Sequence, residues 1–159
     1  MKLSFGPRDR LIIDDAIIKF PNFEGREEKY NRKGDRNFLL DIPTEEMAQA
    51  LMERGWNVSI RDKRDEGGDL FMSLKVKVKF NDRGPTIYLN TNGRVNMLDE
   101  ESAGMIDQIE IASVSMDIRP YDWEVSGKTG RTAYLERMDV VQELDRFAAR
   151  YAEEEALPF

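Results

Sequence analysis

The chain of 159 residues suits one domain, with 40% apolar residues to fill a single core and 35% charged residues to cover it. It has neither cysteine nor histidine, which removes thiol nucleophiles, histidine bases and the usual zinc ligands and leaves only carboxylate, lysine or hydroxyl chemistry. The formal net charge of −7 disfavours phosphate on average, yet the bases are grouped: Lys29, Arg32, Lys33 and Arg36, then Arg61, Lys63 and Arg64, then Lys75, Lys77 and Lys79.

In chain order, Leu11 to Phe20 is isoleucine-rich and closes at Pro21, which predicts a first strand largely buried on both faces. Pro21 to Arg36 follows as a long polar loop holding five bases and one exposed aromatic, Tyr30, so it is either functional or disordered. Asn37 to Ile42 reads as a second strand. A short helix comes next, with Thr44 as its N-cap, Glu45 and Glu46 at the positive end of its dipole and Gly55 at its stop. Trp56, Val58 and Ile60 alternate with polar residues, giving a third strand with its tryptophan in the core.

Asp69 to Phe80 has the clearest pattern in the sequence. Met72, Leu74, Val76, Val78 and Phe80 fall on one side, and Phe71, Ser73, Lys75, Lys77 and Lys79 on the other. One face is therefore apolar and the other cationic. Pro85 to Asn90 is a further short strand, and Leu98 to Asp107 allows a helical turn. Between Gln108 and Ile118 the alternation changes phase, which predicts a bulge near Ala112 or Ser113. Tyr121, Trp123 and Val125 lead through a glycine-bounded turn into Thr132 to Val141, a hairpin. Gln142 to Glu155 carries apolar residues at helical spacing. About seven strands with short helices predict a mainly β domain, an OB-like antiparallel barrel over residues 1–152, followed by an acidic C-terminal tip, 153–159.

Three features carry functional meaning. Lysines at alternate positions of a strand lie about 6.6–7 Å apart, close to the phosphate spacing of an extended single strand. Phe71 on that face is placed to stack on bases, although alternating lysines also protect an edge strand from aggregation. Tyr30 with Lys29, Arg32, Lys33 and Arg36 forms a second aromatic and basic group, and Arg61, Lys63 and Arg64 add charge. Tyr121 and Trp123, near Lys128 and Arg131, form either a core corner or a stacking platform.

The end of the chain, AEEEALPF, places Glu153, Glu154 and Glu155 before Leu157, Pro158 and Phe159. It resembles the C-terminal tip of bacterial single-stranded DNA-binding proteins, an acidic run closing on apolar residues, proline and phenylalanine. That resemblance implies recruitment of replication or recombination proteins such as a polymerase, helicase or nuclease. The alternative for Phe159 is packing on the core. From about residue 11 to 141, NFEG after the opening strand, the GWNV strand, the lysine strand and the YDWEVSGKTGRTAYL hairpin resemble phage single-stranded DNA-binding proteins. This implies an OB-type barrel that coats single strands, with no catalysis and no cofactor. The acidic tip is also suited to occupying the basic groove when DNA is absent.

Two other readings stay open. A magnesium-dependent nuclease would use Asp14 with Asp15, Asp62, or Glu124 near Lys128, although none of these spacings demands a metal. A phage structural or adaptor protein would dock through its tip without binding DNA. With no apolar stretch long enough for a signal or a membrane span, the expected place is the cytoplasm, the host's if the chain is phage-encoded.

Overall fold

The computed structural model describes residues 1–62 and 70–144. Among these residues ten strands form one sheet: β1 (Lys2–Phe5), β2 (Leu11–Asp14), β3 (Ile17–Asn22), β4 (Arg36–Asp41), β5 (Val58–Asp62), β6 (Leu70–Val78), β7 (Thr86–Thr91), β8 (Arg94–Leu98), β9 (Ile111–Val125) and β10 (Lys128–Gln142). Among the described residues one α-helix, α1 (Glu45–Glu53), lies between β4 and β5. The mainly β architecture expected from the sequence is what forms, as a sheet that is not closed into a full barrel.

Its spine is the β9–β10 hairpin, two strands of 15 residues each. From it the sheet runs β1-β2-β9-β10-β6-β4-β3, a path that does not close on itself. β4 takes one edge of β6; β5 and β10 share the other, β5 along Leu70 to Leu74 and β10 at Val76 and Lys77. β7 continues beside β10, and β8 beside β7. Pairing is antiparallel except at β10, which lies parallel to both β6 and β7. These shared edges curl the sheet around one core that includes Leu11, Ile13, Phe38, Leu40, Leu74, Val76, Ile118 and Met138, all at most 1% exposed. Inside it Phe23 stacks on Phe38 with ring centres 5.4 Å apart.

Several expectations from pattern hold. Thr44 caps α1, its Oγ1 accepting from the Met47 N–H at 3.2 Å, and Gly55 follows the helix at φ 87°. Trp56 is in the core, 3% exposed. The bulge is at Ala112, skipped between the pairs Val141–Ser113 and Gln142–Ile111. Ser126 and Gly127, both at positive φ, turn the β9–β10 hairpin.

Others need correction. The Leu11–Phe20 segment is two strands, because Asp15 adopts φ 51° and turns the chain between β2 and β3. It is buried on one face only: Leu11 and Ile13 are in the core, while Ile17 and Phe20 are exposed. β1 and β8, short strands with exposed positions, bring the count above the seven expected. Ile60 lies on the Met72 side of β5, as expected, but is 45% exposed. Gln142 ends β10 instead of opening a helix; the remainder of that expected helix, from 145 onward, lies outside the described residues.

The Pro21–Arg36 loop is ordered by its own hydrogen bonds. Asn22 Oδ1 accepts from the N–H groups of Gly25 and Arg26 at 3.0 and 2.9 Å. Asn31 Nδ2 donates to the carbonyls of Arg26 and Asp35 at 2.8 and 3.0 Å. The Asp107 carboxylate accepts from the N–H groups of Phe23 and Glu24 at 2.8 and 3.0 Å, tying the loop to the body. No helix among the described residues is long and apolar enough to cross a membrane.

Candidate nucleic-acid interface

The alternation along β6 sorts its side chains as expected. Met72, Leu74, Val76 and Val78 are buried, Lys75 and Lys77 are exposed, and Phe71 is half-buried. Residues paired directly across a sheet project to the same side. Thus Leu39 and Asn37 of β4 flank Lys75 and Lys77, Arg61 of β5 flanks Phe71, and Tyr134 of β10 flanks Lys77. A single outward face therefore spans four strands.

Two grooves lie on it. The first, of about 1350 Å³, is lined among others by Lys19, Phe20, Lys29, Tyr30, Arg61, Phe71 and Lys75, with Asn22, Asn31, Asn37 and Asn57 supplying amide groups. Among the described residues its ionic lining is four cations (Lys19, Lys29, Arg61, Lys75) against two carboxylates (Glu28, Asp41), an excess of base on a chain of net charge −7. Glu28 is further offset by Arg26 at 3.5 Å. The second groove, of about 590 Å³, is lined by Trp56, Asn57, Lys75, Lys77, Trp123 and Arg131 among others. Asn57 and Lys75 line both, so the two are contiguous.

The structure thus gathers Lys29, Tyr30, Arg61, Phe71 and Lys75 in one groove, and Lys75, Lys77, Trp123 and Arg131 in the other. Tyr30 stands at the rim, 89% exposed, with the Lys29 ammonium 5.4 Å from its ring centre. The indole of Trp123 is 38% exposed and rests on Gly130. Arg131 is less available than its charge suggests. Its guanidinium makes two bonds to the Asp122 carboxylate, at 2.7 and 3.0 Å, donates to the Arg54 carbonyl at 3.0 Å and lies 5.3 Å from the Trp56 ring centre. That hydrogen bonding raises the Arg131 pKa and holds Asp122 below the ordinary carboxylate value. Arg131 anchors the hairpin to the body.

The remaining candidates are elsewhere. Arg36 shares the core-facing side of β4 with Phe38 and Leu40; its guanidinium donates to the Phe23 carbonyl at 2.9 Å and lies 5.1 Å from the Phe80 ring centre. Arg32 and Lys33 are exposed on the loop, Lys79 beyond the end of β6 and Lys128 at the hairpin tip, all outside the grooves. Tyr121 meets Tyr134 edge-on with ring centres 6.2 Å apart, also outside them. Lys63, Arg64 and the tip residues Glu153, Glu154, Glu155, Leu157, Pro158 and Phe159 lie outside the described residues.

Lys19, Phe20 and Asn57 line the grooves although sequence reasoning passed over them. Lys19 and Phe20 were hidden because an isoleucine-rich run reads as buried; the basic residue before Pro21 was the only available signal. Among the described residues no three carboxylates gather as a metal site.

A family model described as "Putative phage ssDNA-binding domain" matches residues 2–158. Among solved structures, the chain is similar to the single-stranded DNA-binding protein of bacteriophage Enc34 in complex with ssDNA, at 14% identity and TM-score 0.52, covering 87% of this chain and 89% of that one. A C-terminal truncation of the same phage protein gives 14% identity and TM-score 0.51, over 86% and 87% of the two chains. A further structure of that protein gives 12% and 0.51, over 92% and 93%. At such identities these structures speak for a shared fold. No curated protein matches the chain. With its family model spanning nearly its whole length, the chain belongs to the phage single-stranded-DNA-binding domain family.

Proposed function

We propose that the chain binds single-stranded DNA along the outward face of β6 and its neighbours, with little sequence preference and without catalysis. The observation that carries this reading is the contiguity, through the shared Lys75 and Asn57, of two grooves that are each lined by both cations and aromatic rings. Phosphates are neutralised by Lys75, Lys77, Arg61 and Lys29, while bases stack on Phe71 and Tyr30. Stacking contributes about 1–3 kcal/mol per base and is indifferent to sequence, because every base has a π-face. A duplex keeps its bases stacked inside and offers these rings nothing.

Fluorescence anisotropy of labelled oligo-dT and of duplex, each at two salt concentrations, tests the proposal. Single strands are expected to bind far more tightly than duplex, with an affinity that falls steeply with salt. A protein that bound neither form at low salt would instead fit the adaptor reading.

The second part of the proposal concerns Glu153 to Phe159. Three carboxylates before Leu-Pro-Phe support a docking peptide for replication or recombination proteins. The excess of cations in the groove supports a further role, in which the acidic tip competes with DNA for the same surface. Deleting 153–159 is expected to tighten single-strand binding and abolish recruitment of a partner; unchanged affinity would count against competition, and unchanged recruitment against docking.

A further inference from the structure

We propose that Phe20 is a base-stacking wall of the first groove, turned out of the core by a kink in β3; the inference rests on the single-strand-binding reading above. Pairing between β3 and β4 runs Ile17–Asp41, Ile18–Leu40, Lys19–Leu39 and resumes only at Asn22–Asn37. From Lys19 to Asn22 is three steps on β3, and from Leu39 to Asn37 two on β4, so β3 holds one extra residue. Continued regularly, β3 would set Phe20 opposite Phe38, on the inward side with Ile18 and Leu40. That place in the core is filled by Phe23, stacked on Phe38. Phe20 instead adopts φ 51°, a left-handed conformation that phenylalanine rarely takes, and its ring is 73% exposed beside Lys19 in the groove.

Both features are costs: the backbone is strained and a large apolar ring stands in water. Among the described residues no aromatic or cationic partner offsets them. A ligand that covers the ring does. The groove defines its chemistry, since Lys19, Lys29, Arg61 and Lys75 suit an anionic backbone and the exposed Asn57 amide suits polar edges. A planar group with polar edges on a repeating anionic chain is a nucleobase in a polynucleotide. Register sets Phe20 level with Val76 of β6, five residues along from Phe71, so the two residues lie two strand spacings across and five residue steps along from each other, roughly 19 Å, on the one groove. A strand running obliquely along the groove reaches both rings.

The test compares Phe20→Gly, Phe20→Leu and Phe20→Tyr with the wild type in oligo-dT binding and thermal unfolding. Glycine accepts φ 51° freely, so Phe20→Gly is expected to unfold at an equal or higher temperature while binding oligo-dT about 5- to 150-fold more weakly, the span of one base–aromatic stack. Phe20→Tyr keeps the affinity, whereas Phe20→Leu, apolar but without a ring, loses it. Wild-type binding with unchanged affinity in Phe20→Gly would overturn this inference and leave the proposed function standing; a wild type that fails to bind overturns both. Should Phe20→Gly not fold, equal affinities of the Leu and Tyr variants would overturn the inference alone.

Discussion

Trp123 and Gly130 face each other across the β9–β10 hairpin, and a Cβ built on Gly130 would lie 2.2 Å from Cζ2 of the indole. The ring occupies the space that any other residue at 130 would need. Gly130→Ala is therefore expected to push the indole off the strand. The cost is about 1–3 kcal/mol for overpacking, at the lower end because the half-exposed ring can swing outward. Chemical denaturation and the position of the tryptophan emission band measure it; unchanged stability and emission would contradict the packing. Because Trp123 lines the second groove, oligo-dT affinity is expected to fall as well.

Each lysine that touches a phosphate of a single strand adds about 0.7 to the slope of log affinity against log salt. Lys75→Ala and Lys77→Ala are each expected to flatten that slope by about 0.7, and the double variant by about 1.4. Lys79→Ala, outside the grooves, is expected to change it less. A salt titration of oligo-dT binding for the three variants decides, and an unaltered slope in the double variant would remove these lysines from the phosphate path.

Glu136 and Asp117 shift in opposite directions. The Arg10 guanidinium, which donates from Nη2 to Glu136 Oε1 at 2.9 Å, holds the Glu136 carboxyl below its ordinary value. Burial, then the charge of Glu136, pushes Asp117 up. For Glu136 the stabilisation is present above its unfolded-state pKa and is lost as pH falls through the lower folded value. For Asp117 the folded state favours the protonated acid, so its contribution is present below the unfolded pKa and lost as pH rises through the folded one. Glu136→Gln is accordingly expected to lower the melting temperature near neutral pH, and Asp117→Asn to raise it. Both differences shrink as the pH falls below the folded-state values of the two groups, where both carboxyls are protonated in either state. Thermal scans across pH check the two signs.

Thr44→Ala removes the oxygen that accepts the Met47 N–H at the start of α1 and is expected to cost about 1 kcal/mol. The helix contributes only Met52 to the groove linings, so oligo-dT affinity is expected to remain as in the wild type. A loss of affinity at temperatures where the variant is fully folded would tie α1 to binding directly.

The two faces of β6 were legible because period-two alternation is a local property; Leu74 to Val78 obey it in burial, and Ser73, on the polar side, is buried against it. The Thr44 cap, the core position of Trp56 and the bulge at Ala112 were legible for the same reason. The kink at Phe20 was not. Hydropathy records that a residue is apolar, not that an extra residue and a left-handed φ turn it outward. Arg36 misled in the opposite sense: among loop bases it looked like a phosphate ligand, but pairing with Val78 sets it on the core side of β4.

The sequence by itself determined which residues would be buried along β6, which face would carry cations, and that base and aromatic would occur together on an acidic chain. Tertiary structure alone decided which of them meet. Lys77 acquires Tyr134 as a neighbour only because β10 lies parallel to β6, and Lys29 reaches the groove of Lys75 only because the loop folds back over β4. Such contacts join residues dozens of positions apart. They are set by strand order and register, which depend on burying the whole core at once and leave no local trace in the chain.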